Sequence, residues 1–119
     1  VIDEAVRAVL AQEGSAAFVT QGPGGPHLVA TWQSYLRVLD DATLAFPAGG
    51  YRKTEENLRA GSPVQMILGA KEPRASGYRL SGRAELQADT PIHAELKQRF
   101  PWCRAAVVLH VTQVEKVLG

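Results

Sequence analysis

Cysteine is almost absent from this chain of 119 residues, and Cys103 stands alone. No internal disulfide can form, which points to a reducing, cytoplasmic setting and reads Cys103 as a small core or interface residue. A solitary thiol cannot build a cysteine cluster, and His27, His93 and His110 have no metal-ligand spacing. His93 is expected on the polar side of a helix, and His27 and His110 as ordinary strand residues. An excess of charge is lacking too. Lys and Arg number 13 against 12 Asp and Glu, a formal net charge of +1. That removes the broad basic field expected of a nucleic-acid binder. No apolar run approaches the roughly 18 residues of a membrane span. No secretory signal is visible, although the chain opens on Val1 rather than Met, which leaves the native N-terminus open. There is no internal repeat, no Ser-His-Asp order and no standout pair of carboxylates.

What is present suits one domain, residues 1–119, with 45% apolar and 21% charged residues. Ile2, Ala5, Val6, Val9 and Leu10 recur at helical spacing before Gly14, which predicts a short amphipathic helix over 3–13. A strand over 16–21 follows, then the turn GPGGP at 22–26 and one long strand over 27–39, with room for a bend. Asp40-Asp41 turns that strand into a hairpin with 43–48. A short helix over 54–60, a buried strand over 64–68, a polar loop over 70–77 and an alternating strand over 78–87 come next. Thr90-Pro91 opens a helix that Pro101 ends. The last strand runs over 105–114. Its segment AAVVL is apolar on both faces, which predicts a core on one side and a partner subunit on the other. Six strands with three short helices are too few helices for parallel crossovers, so a largely antiparallel barrel is expected.

The most informative stretch is PAGGYRKTEEN, residues 47–57. Gly49 and Gly50 let backbone amides approach a ligand. Thr54 is placed to cap a helix whose first N–H groups lack partners, and Arg52 and Lys53 add two cations beside the positive end of its dipole. An anionic group, a phosphate above all, would gain from all three. A plain strand-to-helix connection has the same look, and the two readings stay open on spacing alone. The P-loop pattern G-x-x-x-x-G-K-[ST] is not met, because Arg52 and Pro47 stand where it needs glycine.

A second constellation lies in the long strand, HLVATWQSYLRVL. Alternation puts Leu28, Ala30, Trp32, Ser34, Leu36 and Val38 on one face and Thr31, Gln33, Tyr35 and Arg37 on the other. Ser34 among apolar neighbours needs a hydrogen-bond partner, a carbonyl or, with Thr31, a ligand. Trp32 and Tyr35 could serve the core or wall a planar ring.

TQGPGGPHLVATWQSYLRVLD followed by PAGGYRKTEENL, together with the late segment QRFPWCRAAVVLHVT, resembles the small bacterial FMN-binding proteins of the Desulfovibrio type. These belong to the FMN-binding split barrels that include pyridoxamine 5′-phosphate oxidase and the flavin reductases. The likeness covers nearly the whole chain and keeps the order of elements. It implies a mainly β fold, a six-stranded antiparallel split β-barrel with Greek-key connections, and a homodimer holding non-covalent FMN near the subunit interface. Carried over by position, Lys53 and Thr54 would hold the phosphate with Arg52 nearby. Thr31 and Ser34 would lie along the phosphate and ribityl side, and Pro47, Ala48, Gly49 and Gly50 would bring backbone against the flavin. Trp32 would lie beside the ring with Tyr35 and Trp102 close, and Leu118 would reach the flavin bound by the other subunit. Ala30 departs from the pattern, which has Asn there, and the 70–77 loop is shorter.

The resemblance does not by itself set the activity, and the first expectation is an electron carrier working with a redox partner protein or NAD(P)H. The absence of an identifiable catalytic acid or base suits that role. Two alternatives stand beside it. One is an NAD(P)H-dependent flavin reductase or an oxidase like pyridoxamine 5′-phosphate oxidase. For the oxidase the ending VEKVLG lacks the basic substrate grip. The other is a module that binds a different phosphorylated ligand and does no redox work.

Overall fold

A computed structural model describes all 119 residues. Helix α1 spans Glu4–Leu10, and the Asp3 carboxylate caps it by accepting from the Val6 amide at 3.1 Å. Its apolar stripe, with Ile2, is buried: Ile2, Val6 and Val9 all enter the core. The strands are β1 (Ser15–Gly22), β2 (Gly25–Trp32), β3 (Arg37–Asp40), β4 (Thr43–Ala48), β5 (Pro63–Ala70), β6 (Ser76–Gln87) and β7 (Ala105–Leu118). Helix α2 is Arg52–Arg59 and α3 is Pro91–Arg99. Thr90 caps α3 through its side chain, and Pro91 sits in the first turn as its missing N–H allows.

There are seven strands rather than six, because the long strand expected over 27–39 is broken by a single 3-10 turn at Gln33–Tyr35. All the pairings are antiparallel, in the order β2-β1-β5-β6-β7-β4-β3. The two edge strands, β2 and β3, are the two halves of that broken strand. The sheet therefore curls until its edges are joined through one short turn, which is a split barrel with six strands when the halves are counted together. The run β5-β6-β7-β4 is a Greek key, since β4 lies beside β7 rather than beside β5, its successor in the chain.

Closure requires bending, and β6 supplies it. Its register with β7 shifts between Ser81 and Gly82, and a Cβ at Gly82 would overlap the His110 carbonyl. The barrel interior is one cluster of 16 buried apolar residues, among them Phe18, Phe46, Met66, Leu80 and Leu109. Each such side chain contributes roughly 1.5–3 kcal/mol on burial.

The double-sided apolar run of β7 finds both its covers inside the chain. Val107, Leu109 and Val111 enter the barrel, while Ala106 and Val108 lie under α3 with Leu96, Phe100, Cys103 and Ala45. The partner subunit expected on that face is replaced by α3. The same packing buries His93, expected in solvent. Its ring Nδ1 accepts from the Asp89 amide at 2.9 Å, and its Nε2 lies 3.1 Å from the Cys103 carbonyl. β7 also runs on to Leu118, four residues past the expected end, because β6 is long enough to pair with it.

Candidate functional site

β4 ends at Ala48, and the chain turns through Gly49 and Gly50 into α2. Against that turn lies a cleft of about 340 Å³, lined by Ala30, Thr31 and Trp32 of β2, Tyr35 of the 3-10 turn, Pro47, Gly49, Gly50, Tyr51 and Trp102. That size is in the range of small-molecule sites. The break in the long strand is what opens it. If β2 ran on regularly, Tyr35 would continue the alternation instead of turning toward Phe100, 4.5 Å away between centroids, and Trp102, 6.0 Å away. Trp32 and Trp102 are each about half exposed, at 48% and 50%, so two indoles edge the cleft with a face left to receive something. Gly49 permits the closeness: a Cβ there would come within 2.9 Å of the Trp102 ring.

Three further features fit an anionic ligand. Helix α2 begins at Arg52, two residues earlier than expected, so Thr54 is not its cap but lies inside the first turn. Tyr51 occupies the cap position and offers no side-chain hydrogen bond to the free N–H groups. The Thr54 side chain is fully buried there, and its hydroxyl has no hydrogen-bond partner in the protein. Thr31 presents a second buried hydroxyl at the cleft wall, beside the Tyr51 phenol but without a well-formed hydrogen bond. Such orphaned groups are uncommon in folded proteins, because each costs desolvation without return. Arg52 and Lys53 are exposed, and neither forms an ion pair. Lys53 lines an adjoining groove of about 490 Å³ between the β1–β2 turn and α2, with His27 and Asn57.

Thr31 and Gln33 point inward and Trp32 outward, the reverse of the alternation expected, because pairing of Thr31 with Ala16 sets β2 in register with a buried row of β1. Ser34 faces away from the cleft lining. Its hydroxyl donates to Glu13 at 2.6 Å and its amide bonds the same carboxylate at 3.2 Å, and chiefly that hydroxyl holds the Glu13 carboxyl below its ordinary value. Ala48 is buried below the turn. Leu118 pairs with Gly77 at the far end of β7, does not line the cleft, and is exposed.

The sequence pattern does not single out Tyr51 or Arg104, and it marks Glu55, with Glu56, only as a carboxylate favouring the helix dipole. Tyr51 packs edge-on against Phe18 at 5.4 Å, and its hydroxyl donates to the Ala30 carbonyl at 2.6 Å. Burial pushes its phenol up from the usual value. Its signal was an aromatic directly after a glycine doublet. Glu55 reads as one of two helix-start carboxylates, yet only Glu55 is buried, paired with Arg104 and with Arg59 at 3.5 Å. Nothing in the sequence marks Arg104, 49 residues away.

A curled antiparallel sheet with a small-molecule-sized cleft at the end of β4, and a helix start carrying an orphaned hydroxyl, defines a split barrel with a candidate site for an anionic ligand. The chain belongs to the pyridoxamine 5′-phosphate oxidase family, whose model matches residues 2–117. It is 42% identical over 115 residues to the FMN-binding protein of Nitratidesulfovibrio vulgaris (strain DSM 19637 / Miyazaki F), covering 92% of this chain and 93% of that one. Among solved structures it is similar to HupZ of Group A Streptococcus, with a TM-score of 0.84 at 20% identity over 98% of this chain and 94% of the other. It is also similar to an FMN-binding protein from Syntrophomonas wolfei, with a TM-score of 0.72 at 15% identity over 92% and 80% of the two chains. At such identities the likeness shows the shared fold. No helix is long and apolar enough to cross a membrane.

Proposed function

We propose that this chain binds FMN non-covalently between the aromatic cleft and the start of α2, and acts as an electron carrier in a homodimer. The observation that carries the reading is the pair of buried, unpartnered hydroxyls, Thr31 at the cleft and Thr54 in the first turn of α2. A phosphate ester and a ribityl chain supply the acceptors and donors that such hydroxyls lack. The 42% identical relative is named for FMN, which sets the ligand among phosphorylated aromatics.

In this reading the free amides of the first turn of α2, the Thr54 hydroxyl and the cations of Arg52 and Lys53 hold the phosphate. Thr31 serves the sugar chain, and the Pro47–Gly50 backbone lies against the ring. Trp32, Tyr35 and Trp102 stack on its faces and exclude water. The bound flavin supplies reversible acceptance of electrons, and the half-exposed indoles leave its edge reachable by a redox partner protein or NAD(P)H. Ser34, committed to Glu13, steadies the 3-10 turn that presents Tyr35. The homodimer is supported by an apolar patch beside the cleft: Leu28, Ala30 and Trp32 on β2, Ala17 and Val19 on β1, and Ile67 on β5, all facing outward. A second copy seated there would bring its own residues, Leu118 included, toward the bound group.

The test is an absorption spectrum of the purified protein with added FMN and riboflavin. Flavin absorbance and quenched fluorescence are expected on binding. Lys53→Ala is expected to weaken FMN by about tenfold, the worth of a charge-assisted phosphate contact, while leaving riboflavin almost untouched. Protein that stays colourless with excess FMN would overturn the assignment. Catalytic bleaching by NADH or NADPH alone would make it a reductase rather than a carrier.

A further inference from the structure

The Gly49 turn and the start of α2 meet a segment 49 residues beyond Glu55 behind the cleft, and one side chain ties them. The Arg104 amide donates to the Ala48 carbonyl at 2.9 Å, just beyond the end of the β4–β7 ladder. The Arg104 guanidinium then donates through Nε to the Gly49 carbonyl and through Nη2 to the Glu55 carboxylate. Gly49 belongs to the turn under the cleft, and Glu55 to the first turn of α2 beside Thr54. Trp102, two residues before Arg104, packs over Gly49. The planar fork of arginine suits this task, because two donors at a fixed angle set the distance and orientation between their acceptors. Its carboxylate partner is buried, with 5% of the side chain exposed, while the arginine is 53% exposed. A carboxylate that far from water needs the pairing, so the bond is not a casual surface contact.

Resting on the FMN reading, we propose that Arg104 is a positioning residue: it locks the Gly49 turn to the start of α2, and thereby fixes the spacing between the ring-binding cleft and the phosphate seat. Arg104 itself lines neither the cleft nor the groove beside Lys53. Its contribution is preorganisation, since two half-sites held at the right separation need not be ordered when the ligand arrives.

The purely structural alternative is that Arg104 only neutralises Glu55. Two variants separate the ideas. Arg104→Ala leaves the buried carboxylate only the exposed Arg59, at 3.5 Å, and frees the Gly49 carbonyl together. Arg104→Ala with Glu55→Gln removes the under-compensated charge but still leaves Gly49 untied. Thermal melting of each apoprotein and fluorescence titration with FMN are the readouts. Arg104→Ala is expected to melt lower and to bind FMN about tenfold or more weakly. The double variant is expected to regain most of the melting temperature while its FMN affinity stays low. Affinity that recovers together with stability, or that is unchanged in Arg104→Ala, would overturn the positioning role. Should Arg104→Ala fail to fold, the double variant set against wild type carries the same comparison. Wild-type protein that binds no FMN would instead remove the reading on which the inference rests.

Discussion

Thr54 shows what one atom can report. A threonine in the first turn of a helix ordinarily turns its hydroxyl to water or to a backbone carbonyl. Here the side chain is fully buried and the oxygen has no partner. The protein alone gains nothing from that hydroxyl, which costs about 1–3 kcal/mol in desolvation. Valine has nearly the same shape and a similar helix propensity. Thr54→Val is therefore expected to leave the apoprotein as stable as wild type, or more stable by about 1 kcal/mol in urea unfolding. It is also expected to weaken FMN while sparing riboflavin. Stability and binding moving in opposite directions is the mark of a residue kept for its ligand. A clear loss of apoprotein stability would reveal a structural bond instead.

The 3-10 turn at Gln33–Tyr35 does the most at the scale of elements. It splits one strand into the two edges of the sheet and swings Tyr35 to the cleft. Its anchor is Gln33, almost fully buried, whose amide donates to the carbonyls of Val9 at 3.0 Å and Gln12 at 2.8 Å and accepts from the Gly69 amide at 2.9 Å. One side chain thus joins the end of α1, the barrel closure and β5. Gln33→Leu would fill the space but leave those backbone groups unpaired. It is expected to cost about 3 kcal/mol, read as a lower denaturation midpoint with an unchanged slope. A loss within a few tenths would show that water replaces the amide.

The same turn shows what the sequence could and could not disclose. Helices α1 and α3 were legible because cap, proline and apolar spacing are local signals. The glycine doublet and basic pair marked the helix start for the same reason. A bend in the long strand was legible, but its place at Gln33, where Gln33-Ser34 and Tyr35-Leu36 interrupt the alternation, emerges only from the contacts with Val9 and Gly69. Pairing with β1 then decided which face of β2 turned inward, against the pattern read from β2 alone. Nor did the local pattern of β7 say that α3, rather than another molecule, would cover its outer side. The cleft was legible as residue types at turns and strand ends, whereas the Arg104 tie, made across 49 residues, was not.

At the scale of the whole molecule, the covering of β7 by α3 moves the question of assembly to a different face. β7 no longer needs a partner, so a second copy must be sought where apolar side chains stay in water. Leu28, 70% exposed, and Ile67, 46% exposed, stand out on the β2-β1-β5 side of the barrel. Ala17 and Val19 lie opposite Ala30 and Leu28, and the Phe18–Met66 pairing sets Ile67 beside Ala17, so the patch spans three strands and meets the cleft at Ala30 and Trp32. A closed twofold pair would use the same patch on both copies, which makes it sensitive to one added charge counted twice. Both side chains are exposed in the single chain, so replacing them should change its own stability by no more than about 0.5 kcal/mol. Leu28→Glu with Ile67→Glu is expected to shift sedimentation from twice the chain mass of 12.8 kDa to that mass, with melting of the monomer preserved. If the cleft is completed across the pair, FMN should bind less tightly to the monomer than to the dimer, and tighter in wild type as protein concentration rises. A wild-type protein that sediments as a monomer with FMN bound would confine the whole site to one chain and leave the patch to another partner.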